Sequence, residues 1–340
     1  MKPPAAAVLV VAALASITVA AHAQTPAPNA AAAKPLASKP YAPARTPWGD
    51  PDLQGIFTNK NEQGIPLERP QEFEGRRVAD VTGAELAALV QQRQQALLKL
   101  APIIGGEETG AGPTHWYENY DAKNSRAWMI VDPVEGLTPP RTPDAQRRAA
   151  DLAAMHRARG EADSYEDRSL YDRCITRGIP GSMMPTIYGM SYQLVQGPGV
   201  VAIRYEMIHE ARIIPLDGRP HAGSNIRTYV GDARGHWVGD TLVVETTNFN
   251  GRTGSDNGYP SPEQGTSPSL RIIERFRPVS AGVIEWSVTL EDAQTWTRPW
   301  TFAMNLSKDD AEPIFEYACH EGNYGLRNIL SAARAEERAR

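Results

Sequence analysis

The sequence has few cysteines, no concentration of positive charge and none of the common cofactor-binding patterns. Its two cysteines, Cys174 and Cys319, are too few for a four-thiolate metal site. In an oxidising compartment two cysteines predict one disulfide, and two separate buried thiols are the alternative. The 40 acidic residues outnumber the 35 Lys and Arg, and the basic residues are interspersed among the acidic ones. We therefore predict no nucleic acid partner and no binding to anionic membranes.

Sequence motifs for cofactors are also missing. The patterns G-x-G-x-x-G and G-x-x-x-x-G-K of nucleotide-binding sites do not occur, and neither do the H-E-x-x-H and H-x-H spacings of zinc sites. The Gly181-Ser182 pair lacks the G-x-S-x-G turn of a serine nucleophile. We expect no cofactor and no metal ion.

The first residues have the features of an export signal. Lys2 precedes an apolar run over residues 5–19, and Ala21-His22-Ala23 is an A-x-A cleavage site, so residues 1–23 are predicted to be a signal peptide. The run is shorter than the roughly 20 residues that a membrane span requires, and no later segment is long and apolar enough. Residues 24–45 are rich in Ala, Pro, Ser and Lys and are predicted to be a disordered linker. We expect a periplasmic or secreted protein with no membrane insertion.

Residues 46–172 are predicted to form an N-terminal arm and helices that wrap the rest of the chain. Thr82 and Glu85 form a capping box before apolar residues at helical spacing. Thr142 followed by Pro143 predicts a second helix, which runs to about residue 157. The short apolar run over residues 128–131 predicts an isolated strand.

Residues 173–324 predict a mainly β domain. Gly, Pro and Asp turn signals separate about nine β-rich segments, which favours an antiparallel β-barrel or sandwich of lipocalin-like character. Residues 325–340 predict a C-terminal helix. The predicted strand cores are residues 187–196, 199–206, 208–216, 225–230, 236–249, 269–277, 282–290, 298–306 and 313–319.

Several long segments, in this order, resemble a family of exported, uncharacterised bacterial proteins. The resemblance covers nearly all of the chain from residue 46. It implies an exported, β-rich protein of this size, and it implies no activity, cofactor or site residue. The segments are PWGDPDLQG (47–55), SRAWMIVDP (125–133), RCITRGIPG (173–181), EMIHEARIIPLDGRPH (206–221), GDTLVVETTNF (239–249) and EYACHEGNYGLRNIL (316–330).

The densest set of ionisable side chains among the predicted strands surrounds His209. If this histidine points into a cavity, it is suited to be a general acid or base, with Glu206 or Glu245 orienting its ring. Three arginines could bind a substrate carboxylate or stabilise a developing oxyanion. Cross-strand ion pairs are the structural alternative. The three arginines are Arg204, Arg212 and Arg227.

Further candidates lie elsewhere along the chain. His320 directly follows Cys319, so a bridge to Cys174 would fix its position, and it is the second candidate for acid–base chemistry. Three further residues are candidates for substrate binding because they follow a turn or belong to an aromatic set suited to line a pocket. They are His221, Trp237 and Trp300.

Three functions are compatible with these residues. The leading hypothesis is a periplasmic enzyme of lyase, isomerase, hydratase or hydrolase type, which performs acid–base chemistry on a small polar or aromatic molecule in a barrel cavity. The second is a lipocalin-like protein that binds or carries a small molecule. The third is an envelope scaffold or accessory subunit. Fold class alone does not choose among them.

Overall fold

The computed structural model describes residues 41–100, 123–160, 162–186, 189–252 and 265–339, with the side chains of 97–100 and 156 excepted. The predicted signal peptide and nearly all of the predicted linker lie outside the described residues. The remainder confirms the predicted fold class. The protein is mainly β, with ten strands in one antiparallel sheet and a helix at the C-terminal end.

The strands follow one another closely in the second half of the chain, while the first two come from the segment predicted as an arm. Nine of them lie side by side in the order β5-β4-β3-β1-β10-β9-β8-β7-β6, and β2 pairs with β10. Their bounds are β1 (Gly55–Thr58), β2 (Ile130–Asp132), β3 (Ser191–Gly197), β4 (Val200–Tyr205), β5 (Ala211–Pro215), β6 (Asp232–Val238), β7 (Thr241–Thr247), β8 (Arg271–Ser280), β9 (Val283–Glu291) and β10 (Trp300–Lys308).

The sheet curls into a nearly closed barrel whose seam lies between β5 and β6. Every neighbouring pair along the nine strands is antiparallel, so the two end strands run in the same direction. No described ladder of backbone hydrogen bonds joins them. They nevertheless approach closely, because a Cβ added to Gly235 would lie 2.5 Å from Leu216 Cδ2 and 2.8 Å from Ile214 Cγ2. Side-chain packing therefore closes the seam.

Alternating burial along the strands places the core inside the barrel. In β9 the side chains of Ile284, Trp286, Val288 and Leu290 are buried, as their period-two spacing predicts. Facing strands fill the same interior with large aromatic and aliphatic groups, among them Phe302. Each such side chain contributes about 1.5 to 3 kcal/mol on full burial.

Three strand predictions need correction. Residues 236–249 are not one strand, because the chain reverses at Gly239 (φ 58°) and forms the β6–β7 hairpin. Residues 225–230 and 313–319 are not strands and make only isolated bridges. The predicted strand at residues 128–131 is present as β2, shifted by about two residues.

In the described part of the chain, three α-helices lie outside the sheet: α1 (Gly83–Leu100), α2 (Pro143–Ala158) and α3 (Tyr324–Ala339). Thr142 caps α2 as predicted, because its hydroxyl accepts a hydrogen bond from Ala145 N at 3.1 Å. No residue of α3 is buried. Within the described ranges, no helix has the length and apolar character needed to cross a membrane.

Candidate functional site

The predicted disulfide is present and joins two distant parts of the chain at one end of the barrel. The Cα atoms of Cys174 and Cys319 are 5.5 Å apart. This bridge fixes the segment that carries His320 beside the β4–β5 turn that carries His209. The centres of the two imidazole rings are 5.4 Å apart. The structure thus brings together the two histidines that the sequence offered as separate candidates.

The backbone around these histidines is unusual. Ile208 has φ 61°, His209 has φ 44° and Cys174 has φ 55°, which is the left-handed region that residues with a side chain rarely adopt. Each residue in this conformation raises the free energy of the folded chain by on the order of 1 to 3 kcal/mol, so contacts with the surrounding structure must hold its backbone in place. Tyr317 supplies two of them: its N–H donates to Glu206 O at 3.3 Å, and its carbonyl oxygen lies 3.4 Å from His209 Nδ1.

Two carboxyl groups flank the turn and are partly withdrawn from water. Burial raises the pKa of Glu206 above its ordinary value, although hydrogen bonds from Ser191 oppose the effect. Burial also raises the pKa of Glu210, whose carboxylate accepts a hydrogen bond from Thr176 Oγ1 at 2.8 Å. Raised carboxyl pKa values near two imidazoles place several proton-exchanging groups in one region.

A cleft of about 520 Å³ lies along residues 316–325, and neither His209 nor His320 is among its lining residues. The two residues that flank His320, Cys319 and Glu321, are among those that line it. A small polar molecule fits a space of this size. The other lining residues are Tyr171, Asp172, Glu316, Tyr317, Ala318, Gly322, Asn323 and Gly325.

Glu245 does not orient His209 but belongs to a second cluster, on the outer face of the barrel. There His221 lies between two carboxylates: its Nδ1 is 3.1 Å from Asp232 Oδ2, and its Nε2 is 3.5 Å from Glu245 Oε1. Arg271 in turn contacts Glu245 and Glu291, at 2.5 and 2.6 Å. His221 therefore anchors the loop between β5 and β6 to the sheet and does not join the histidine pair.

Three residues predicted to contact substrate have side chains that point toward the barrel interior instead. Arg212 is 5% exposed, and its Nη2 approaches Glu274 Oε2 to 2.7 Å. Trp300 is 1% exposed and packs edge to face against Trp296, so it belongs to the barrel core. Trp237 is half-buried and packs against the core. Strand alternation points these side chains inward.

The remaining two arginines lie at separate places. Arg204 is half-buried on the outer face of β4. Arg227 donates to the carbonyl oxygens of Phe249 and Pro268 at 3.0 and 2.7 Å, which ties two loops together. Neither arginine is shown in contact with the histidine pair.

Sequence reasoning missed Tyr317 and Glu274. Tyr317 touches the turn through its backbone, which no side-chain pattern reveals. The sequence does indicate that Glu274 is buried, because it lies between Ile272 and Phe276 on the inward-facing side of a strand with clear alternation. A charge at such a position indicates a buried partner.

No protein-family model, no curated protein and no solved structure matches the chain. Among the described residues, no group of three or more His, Cys, Asp or Glu side chains is placed to hold a metal ion.

Proposed function

We propose that the protein is an enzyme that performs acid–base chemistry on a small polar molecule bound in the cleft beside His209 and His320. The observation that carries the proposal is the 5.4 Å separation of the two rings, held by strained backbone at Ile208 and His209 and by a disulfide whose Cys319 lines the cleft. Strained backbone persists only where the surrounding structure holds it, and such residues concentrate at functional sites.

A pair of imidazoles can move protons in both directions at neutral pH. One neutral ring accepts a proton from the substrate. The other ring, which is protonated, donates a proton to the leaving group or to the substrate atom on which negative charge develops. The number of protons on the pair is unchanged after one turnover. Elimination, hydration, isomerisation and hydrolysis all need this exchange. The proposed reaction site is the cleft along residues 316–325.

The test is a conversion screen with the full chain. Panels of esters, amides, lactones, hydroxy acids and sugars are incubated with the protein, and new products are detected by mass spectrometry. For a converted compound, His209→Gln and His320→Gln should each reduce kcat by about 10² to 10⁴-fold. His236→Gln is the matched control, because His236 is exposed on the outer face of β6, away from the cleft. Conversion that is equal in all three variants would overturn the proposal.

We also propose that the protein works outside the cytoplasm. The disulfide between Cys174 and Cys319 supports this, because such bonds persist in oxidising compartments.

A further inference from the structure

A cluster of polar side chains lies inside the barrel, below the turn that carries His209. Tyr205 ends β4 and Arg212 is the second residue of β5, so the same hairpin places both side chains in the interior. Glu274 enters from β8 on the other side. Tyr205 is 1% exposed and Glu274 is fully buried. This cluster is separate from the histidine pair and from the cleft.

Half of the hydrogen-bonding atoms of the cluster have no partner among the described residues. The hydroxyl of Tyr205 and the Nε and Nη1 atoms of Arg212 are buried without a hydrogen bond. Arg212 Nη2 and Glu274 Oε2 are paired at 2.7 Å. Glu274 Oε1 accepts a hydrogen bond from Trp286 Nε1 at 3.1 Å.

Leaving these atoms unpaired is costly. Burial of a polar group without a hydrogen-bond partner destabilises the folded protein by about 1 to 3 kcal/mol. Native proteins fill such places with water or a ligand. Burial opposes the charge of Arg212, yet the carboxylate of Glu274 holds the pKa of the guanidinium above its ordinary value. At 2.7 Å the guanidinium and the carboxylate form an ion pair, whose opposite charges offset each other.

The charge balance selects the chemistry of an occupant. An anion would meet Glu274, and a cation would meet Arg212, so each would be repelled by one member of the pair. A hydroxyl or primary amide group fits both, because it accepts from the guanidinium and the Tyr205 hydroxyl and donates to Glu274 Oε2. We propose that Tyr205, Arg212 and Glu274 form a binding site for a small neutral molecule that carries a hydroxyl or amide group.

The seam between β5 and β6 offers a way in. Arg212 belongs to β5, whose edge toward β6 carries no described ladder of backbone hydrogen bonds. Separation of these strands breaks side-chain contacts alone, so the seam opens at lower free energy than a paired edge.

The experiment uses three small probes of similar size: acetamide, acetate and methylammonium. Each is titrated into the full chain, and the side-chain N–H signals of Arg212 and Trp286 are followed by NMR. Acetamide should shift both signals saturably, and the two ions should not. Tyr205→Phe keeps the shape of the ring and removes one donor, so it should weaken acetamide binding about threefold to tenfold.

Two further variants separate this site from its alternatives. Glu274→Gln leaves Arg212 without its counter-charge and should make acetate the preferred probe. His209→Gln should leave acetamide binding unchanged, which distinguishes this site from the proposed catalytic one. The proposal is overturned if no probe shifts the signals saturably, which would mean that water alone fills the cluster. It is equally overturned if Tyr205→Phe binds acetamide as tightly as the unmodified protein does.

Discussion

The imidazole of His209 lies 5.4 Å from that of His320, although the first belongs to the β4–β5 turn and the second to the segment before α3. The disulfide one residue before His320 fixes this segment to the loop at Cys174. The bridge therefore has two roles in one place: it stabilises the chain and it positions a proton-exchanging group. The two roles are separable by experiment.

Removing the bridge should destabilise the protein. The cysteines are 145 residues apart, and for a loop of this length the chain-entropy model gives about 4 to 5 kcal/mol. The double variant Cys174→Ser/Cys319→Ser should lower the free energy of unfolding, measured with urea, by about 2 to 5 kcal/mol. A reducing agent should lower the stability of the unmodified protein alone. If the reductant destabilises the double variant as well, the effect does not come from this bond.

Glu62 should make the protein less stable as the pH rises from acid to neutral. It is 2% exposed, and burial raises the pKa of its carboxyl group to about 7, against hydrogen bonds from Ser125. The folded chain therefore keeps a proton that the unfolded chain loses near pH 4.5, so this favourable contribution is complete below that pH and is lost as the pH rises through 7. The loss corresponds to about 3 kcal/mol.

The variant Glu62→Gln tests this, because its side chain is neutral at every pH. Its free energy of unfolding should change less between pH 4.5 and 8 than that of the unmodified protein, by about 3 kcal/mol. Glu74→Gln is the control, because Glu74 is exposed. Identical pH profiles for Glu62→Gln and the unmodified protein would show that Glu62 is ionised in the folded state.

The cap of α2 should contribute measurably to stability. Thr142 Oγ1 accepts from Ala145 N and donates to Gln294 O at 2.7 Å, so it joins the helix to the segment before β10. Thr142→Ala should reduce the free energy of unfolding by about 1 to 2 kcal/mol, measured by urea denaturation. Thr142→Ser keeps the hydroxyl and should lose less than half of that. An equal loss in both variants would assign the effect to the methyl group.

The sequence predicts the barrel well where local signals and tertiary structure agree. The alternation in β9 and the Thr142-Pro143 cap are examples, because burial period and helix capping are both local properties. Strand β1 shows the limit. Gly55–Thr58 is four residues long and follows a turn-rich segment, and it becomes a strand only because β3 and β10 lie on either side. No local pattern carries that information.

The histidine pair also depends on tertiary structure that no local sequence pattern reveals. The sequence identifies His209 and His320 as candidates through their residue type and their neighbours. Their proximity depends on the disulfide, so it follows from the sequence only if that pairing is assumed. Glu245 and His221 show the opposite case. The sequence pattern favours Glu245 as a partner of His209 and His221 as a substrate-binding residue, yet β7 places Glu245 beside His221 on the outer face.

The cluster around His221 leads to a prediction about the seam of the barrel. Asp232, the first residue of β6, accepts hydrogen bonds from His221 Nδ1 and from Ala222 N at 3.1 and 2.8 Å, and Arg234 contacts it at 2.6 Å. Burial alone would raise the pKa of Asp232, but these contacts hold it below its ordinary value of 3.8. Asp232 therefore stabilises the folded chain above that pH, and this contribution is lost as the pH falls through the folded pKa.

Asp232→Ala removes all of these contacts and should release the loop that connects β5 to β6. We expect a loss of about 1 to 2 kcal/mol in the free energy of unfolding and faster amide hydrogen exchange in the loop. Exchange in β5 should also accelerate, because no described ladder pairs that strand with β6 and the loop adds to the side-chain packing that holds the two ends of the sheet together. Asp217→Ala is the matched control in the same loop, because Asp217 is exposed and its one ion-pair partner among the residues that the structure describes is the exposed Arg219. If β5 keeps its protection in Asp232→Ala while the loop exchanges faster, side-chain packing alone closes the barrel and the ion cluster serves only the loop.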